Sequence, residues 1–188
     1  MPYSLDRVKI LIVDDMMPML SLVKSILSIY GFKEIYTAND GEEAFDLVCR
    51  HDPDLILTDW VMEPMDGLEF TKKVRRSPMS PNPYVPILMM TGFSSRLRVE
   101  GSRDAGITEF LVKPFNSKDL CARIIQIIEK PRQFVDAMEF FGPDRRRRDD
   151  RGYEGNRKRG DDSERAAKSD EKTTDILKKL REEAKTIS

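Results

Sequence analysis

Residues 8–15 read VKILIVDD, an almost unbroken apolar run, rich in β-branched side chains, that ends in two adjacent aspartates. A run this continuous is the pattern of a strand covered on both faces, as in a parallel sheet. Downstream, the same kind of run recurs at Ile35–Ala38, Leu55–Thr58, Val85–Met90 and Phe110–Val112. Between these runs the apolar spacing turns helical: Met19–Tyr30 through Leu20, Val23, Ile26 and Leu27, then Glu42–Arg50, Leu68–Arg76, Ser95–Ala105 and Lys118–Glu129. Gly31 stops the first helix, the turn 39–41 (NDG) opens the second, and the Pro-rich stretch 77–83 (SPMSPNP) is a loop. Strands alternating with helices predict an α/β fold: a doubly wound, five-stranded parallel sheet with helices on both faces.

Composition removes many alternatives. The chain has 188 residues, enough for one ordinary domain and an appendage. Its 32 Lys and Arg nearly cancel 33 Asp and Glu. No window approaches the roughly 18 consecutive apolar residues of a membrane helix, and the opening MPYSLDRVK has no secretory pattern. The expectation is a soluble, cytoplasmic chain without a membrane partner. Cys49 and Cys121 stand apart without CxxC spacing, which argues against a disulfide framework or a zinc site. The single histidine, His51, argues against histidine metal clusters and Ser-His-Asp hydrolysis.

In open parallel sheets ligands bind beyond the carboxyl ends of the strands, where strand order reverses. The first strand ends in Asp14 and Asp15, the third in Asp59, the fourth in Thr91 and the fifth in Lys113. With the flavodoxin-like order 2-1-3-4-5, strands one and three flank the reversal, so three carboxylates converge there. Adjacent carboxylates repel unless a cation joins them, and hard oxygen donors favour Mg²⁺. A carboxylate beside Mg²⁺ is a competent nucleophile toward phosphorus, with Lys113 and the Thr91 hydroxyl in reach of the transferred oxygens. Taken singly, Asp14 and Asp15 read more readily as helix caps and Lys113 as a surface charge. Five such residues at four strand ends read as a site.

The ordered motifs ILIVDD, LILTDW with MDG, MMTG and FLVKPF resemble the receiver domain of two-component response regulators, the CheY-like fold, over roughly residues 6–130. The resemblance implies that Asp59 is the phosphoacceptor. It also implies that Asp14 and Asp15 hold Mg²⁺ with Asp59 and the backbone carbonyl of Val61. Thr91 then matches the switch hydroxyl, Phe110 the switch aromatic and Lys113 the phosphate-sensing lysine, with Lys113–Pro114 cis. A histidine kinase or phosphotransferase would be the donor. One departure is Glu63, which stands where the family usually has proline and brings an anionic side chain near the site.

Past residue 130 the composition changes. Residues 131–188 are just over half charged, against about a quarter before them. Between Asp144 and Asp175 the only apolar side chains are Tyr153, Ala166 and Ala167, so this stretch is expected to be largely disordered until something binds it. Two blocks align at an offset of twelve, DRRRRDD from Asp144 and NRKRGDD from Asn156, and each contains R-x-x-D. An arginine fork matches O6 and N7 of guanine, and a carboxylate accepts from its other edge. Arg147 with Asp150, and Arg159 with Asp162, would each read one guanine. Arg145, Arg148, Arg151 and Arg157 would face phosphates, and Tyr153 would stack on a base.

Two guanines and two phosphates in one small ligand describe cyclic di-GMP. A nonspecific DNA or RNA arm fits less well, because residues 142–165 hold nine basic but seven acidic side chains. A receiver followed by an arginine-rich extension is similar to the CheY-like cyclic di-GMP effectors, the Cle proteins. That resemblance implies docking on the flagellar motor switch protein, an effect on motility and surface attachment, and recruitment to the flagellated pole. The expected organisation is a receiver at 1–130, an arginine-rich nucleotide-binding extension at 131–165, and a charged tail at 166–188 with a marginal helix through Ile176, Leu177 and Leu180. Within 131–141 (PRQFVDAMEFF), the apolar side chains are expected to pack the base of the extension on the final helix. The expected function is a non-enzymatic signalling adaptor. The alternative is an ordinary regulator driven by phosphorylation at Asp59, with a passive tail.

Overall fold

In the computed structural model, residues 5–92, 105–130, 132–137 and 140–143 are described below. Five parallel strands form one sheet in the order β2-β1-β3-β4-β5. They are β1 (Ile10–Val13), β2 (Ile35–Ala38), β3 (Leu55–Asp59), β4 (Ile87–Thr91) and β5 (Glu109–Val112). Four described helices accompany them: α1 (Met17–Ile29), α2 (Gly41–His51), α3 (Gly67–Arg76) and α4 (Ser117–Glu129). The expected helix over Ser95–Ala105 falls almost wholly outside the described residues.

The continuous apolar runs have a direct cause: the three central strands, β1, β3 and β4, are covered on both faces. Ile10 and Ile12 of β1, Leu55 and Leu57 of β3, and Leu88 and Met90 of β4 pack in one core with α1 and α4. The intervening Leu11, Val13, Ile56 and Ile87 pack in a second core with α2 and α3. Side chains alternate across a strand, so a two-faced strand needs an apolar residue at every position. In register, Val13 of β1 lies opposite both Ala38 of β2 and Thr58 of β3. That alignment sends the residues after β1 and at the end of β3 out over the same edge of the sheet.

The helices begin where their caps place them. Asp40 accepts hydrogen bonds from the backbone N–H of Glu42 and Glu43, and Asp66 accepts from Glu69. Asn116 and Asp119 form a reciprocal capping box at α4. α1 starts with no side-chain cap, but Pro18 lies in its first turn, where a missing N–H costs nothing.

The chain after α4 departs from expectation. The described residues of 131–141 do not simply lay their apolar side chains on the final helix. Phe134–Ala137 (β6) and Phe140–Pro143 (β7) pair as an antiparallel hairpin. Phe134 is buried while Val135 is 37% exposed, a period of two rather than of a helix turn. Phe134 and Phe141 meet Tyr84 edge-on, with ring centroids 5.4 and 5.2 Å away. α4 ends at Glu129, with Lys130 as its C-cap, and the rings of Phe134 and Phe141 find their partner in the loop before β4. The arginine-rich segment and the expected helix near Ile176 lie outside the described residues.

Candidate functional site

β1 and β3 are neighbours at the centre of the sheet, and the chain leaves both at their carboxyl ends with aspartates. Asp14, Asp15 and Asp59 each bring a carboxylate oxygen within 4.8 Å of the others. Asp14 is wholly buried, Asp59 is partly covered and Asp15 is exposed, so the cluster opens on one side. The donor set is all hard oxygen, close enough for one small divalent cation to draw together. Lys113 follows β5 directly and reaches back over the sheet edge. Its Nζ lies 2.9 Å from Asp14 Oδ2 and 3.0 Å from Asp59 Oδ1.

The electrostatics follow from crowding. Partial burial raises the Asp59 pKa, and the negative charge of Asp14 adds to that; the hydrogen bond and charge of Lys113 oppose it without cancelling it. For Lys113, burial favours the neutral amine, but two carboxylate partners outweigh it and its pKa is raised. Lys113 is therefore a firmly held ammonium between two acceptors.

Backbone contacts fix the frame. Asp14 Oδ1 accepts from the Met16 N–H at 2.9 Å, which turns the chain sharply after β1. Trp60 N–H donates to the Met90 carbonyl at 3.1 Å, and Lys113 N–H donates to that of Thr91 at 2.7 Å, so the three strand ends are tied in sequence. The loop after Asp59 closes where the Gly67 N–H donates to the Trp60 carbonyl at 2.9 Å. A Cβ at Gly67 would collide with the Asp59 carbonyl oxygen and lie 3.2 Å from Met89 Cε. Gly67 was legible in the MDG motif but not singled out; its requirement is a close backbone approach.

The structure thus brings Asp14, Asp15, Asp59 and Lys113 together. Thr91 is buried as the last residue of β4, and Phe110 is half-buried one residue into β5. The Val61 side chain is 57% exposed on the loop above the pocket. Lys113–Pro114 is cis, as the resemblance implies, and so is Glu63–Pro64, which nothing in the sequence announced. Glu63 is exposed. Arg145, Arg147, Arg148, Asp150, Arg151, Tyr153, Arg157, Arg159 and Asp162 all lie outside the described residues. No described helix is long and apolar enough to cross a membrane.

A doubly wound sheet with three carboxylates at its central strand ends, two of them bridged by a lysine, defines a class of signalling module, one that binds Mg²⁺ in an acidic pocket. This chain belongs to the response regulator receiver domain family, whose match spans residues 10–125. It is similar to the chemotaxis protein CheY-3 of Vibrio cholerae, 33% identical over 124 residues that make up 66% of this chain and 94% of the relative. The chemotaxis protein CheY of Pseudomonas aeruginosa is likewise 33% identical, over 65% of this chain and 97% of the relative. Among solved structures, Vibrio cholerae CheY4 superposes with a TM-score of 0.60 at 34% identity, covering 64% of this chain and 98% of that one. About a third of the present chain has no counterpart in these relatives.

Proposed function

We propose that this protein is a response-regulator-type signalling adaptor with two inputs, phosphorylation at Asp59 and cyclic di-GMP at the arginine-rich extension. The observation that carries the first is the Lys113 ammonium within 3.0 Å of both Asp14 and Asp59. Asp14 and Asp15 would hold Mg²⁺ with Asp59 and the Val61 carbonyl, and the ion would neutralise charge on the transferring group. An oxygen of Asp59 attacks the phosphorus of a phosphohistidine on a histidine kinase or phosphotransferase. The new P–O bond forms as the P–N bond breaks, and the imidazole leaves with its electron pair. Lys113 then moves its hydrogen bond from the Asp59 carboxylate to a phosphoryl oxygen. Thr91 reaches another, and Phe110 repacks on the β5 surface, a shift between two populations. Incubation with a small-molecule phosphodonor and Mg²⁺ will add one phosphoryl mass to the wild type and none to Asp59→Asn.

The second input rests on the paired R-x-x-D blocks and on similarity to the Cle proteins. Arg147 with Asp150 and Arg159 with Asp162 read the two guanines; Arg145, Arg148, Arg151, Arg157 and Tyr153 hold phosphates and stack. The loaded protein docks on the flagellar motor switch, a reading that the chemotaxis relatives support. Calorimetric titration will show guanine-selective binding, and Arg147→Ala or Arg159→Ala will each cost about 1–3 kcal/mol. If full-length protein takes up no cyclic di-GMP while Asp59→Asn abolishes signalling, the chain is an ordinary phosphorylation-driven regulator with a passive tail. The self-sufficient lysine-bridged pocket favours that alternative over a nucleic-acid-binding one.

A further inference from the structure

The hairpin Phe134–Pro143 lies past the family match, which ends at residue 125, yet it is seated on the receiver by buried and specific contacts. Arg75, in the last turn of α3, is buried. Its Nε and Nη2 donate to the Gly106 carbonyl at 3.0 and 2.9 Å, and its Nη1 donates to that of Pro83 at 2.8 Å. Among the described residues no carboxylate pairs with it. Its cationic face is instead met by the Phe134 ring, 5.0 Å from Cζ to centroid. Burial lowers its pKa to about 9, which leaves it charged at neutral pH.

Gly106 completes the seat. Its φ is +93°, and an added Cβ would lie 3.0 Å from both Arg75 Nε and the Phe141 carbonyl oxygen. Only glycine fits between the buried guanidinium and the second strand of the hairpin. A second attachment is polar. Arg132 Nη2 lies 2.6 Å from Oε1 of Glu109, whose side chain is 5% exposed. Gln126 and Arg123 of α4 approach the same carboxylate at 3.4 and 3.9 Å.

These anchors share one position in the fold. Tyr84 precedes β4, Gly106 precedes β5, and Glu109 is the first residue of β5. The hairpin therefore sits at the amino ends of the strands, opposite the acidic pocket. β5 is only four residues long. Its first residue is gripped by Arg132, which leads into the hairpin, and the residue after its last is the pocket lysine, Lys113. Phe110 lies between the two grips.

We infer that the hairpin is a strap on β5, and that the Glu109–Arg132 link passes changes in either direction between the pocket and the segment following Pro143. A strand this short, held by side chains at both ends, cannot shift at one end alone, and any coupling through it is reciprocal. The pocket arm of this inference rests on the receiver chemistry proposed above. Amide NMR and hydrogen exchange on the full chain test it. Unseating the strap with Phe134→Ala and Phe141→Ala is expected to speed exchange about tenfold at Glu109–Val112, while β1 and β2 amides keep their protection. Changes confined to the hairpin would overturn the inference. Arg132→Gln, which leaves the aromatic seat in place, guards against a double variant that fails to fold. In the wild type, Mg²⁺ with beryllofluoride is expected to shift the amides of Val135 and Gly142, and in Arg132→Gln that response is expected to vanish. If β5 responds and the hairpin stays silent, the strap does not transmit. If neither responds, the pocket chemistry fails, and the unseating experiment still decides the strap.

Discussion

Three carboxylates and one ammonium share the pocket, and their signs set what single substitutions do. Asp14 is wholly buried and bonded to Lys113, so its removal leaves that partly buried cation with Asp59 alone as its carboxylate partner. Asp15 is exposed and, among the described residues, joins no ion pair, so it mainly adds repulsion until a cation arrives. Asp15→Asn is therefore expected to melt above the wild type in chelator and below it in excess Mg²⁺. Wild-type protein gains about 2.7 kcal/mol when free Mg²⁺ reaches a hundred times its Kd. Parallel thermal melts check this, and curves that keep the same order in both buffers would refute it. Gly67→Ala places a methyl group against the Asp59 carbonyl. It is expected to cost about 1–3 kcal/mol in a denaturant titration, as overpacking does, and to weaken Mg²⁺ binding because the loop frame shifts.

Elements differ in what stabilises them. α4 carries a full capping box from Asn116 and Asp119, and its buried Leu120, Ile124, Ile127 and Ile128 join the core with α1. Asn116→Ala is expected to cost about 1 kcal/mol, read as a lowered melting temperature, with Mg²⁺ affinity unchanged. The central strands were legible because both faces are buried, so the apolar runs of β1, β3 and β4 left little choice of structure. Their edges were less legible. Val8 and Val85 continue the apolar runs but lie outside β1 and β4, because the first ladder contacts begin only at Ile10 and Ile87. The hairpin was missed for a different reason. Its short alternation holds two aromatic residues whose partners, Tyr84 and Arg75, lie about fifty or sixty residues away in sequence, and nothing local marks them as a seat.

At the scale of the whole molecule, the acidic pocket and the hairpin occupy opposite ends of one sheet. A chain ending at Pro143 keeps both sets of contacts and is expected to bind Mg²⁺ as the full chain does while binding no cyclic di-GMP. A chain ending at Lys130 exposes Tyr84 and the Arg75 guanidinium and is expected to melt lower, which scanning calorimetry on the two truncations compares. What the amino acids determined by themselves was the periodic part of the design: five strands with a buried centre, their order of polar endings, and the charge of the pocket. These depend on spacing along the chain, which a single sequence carries in full. Only the tertiary structure decided that Lys113 bridges Asp14 and Asp59, that Gly67 must touch the Asp59 backbone, and that Arg75 and Glu109 receive the hairpin. Those contacts join residues far apart in the chain, and their geometry exists only once the sheet has brought both partners to the same end.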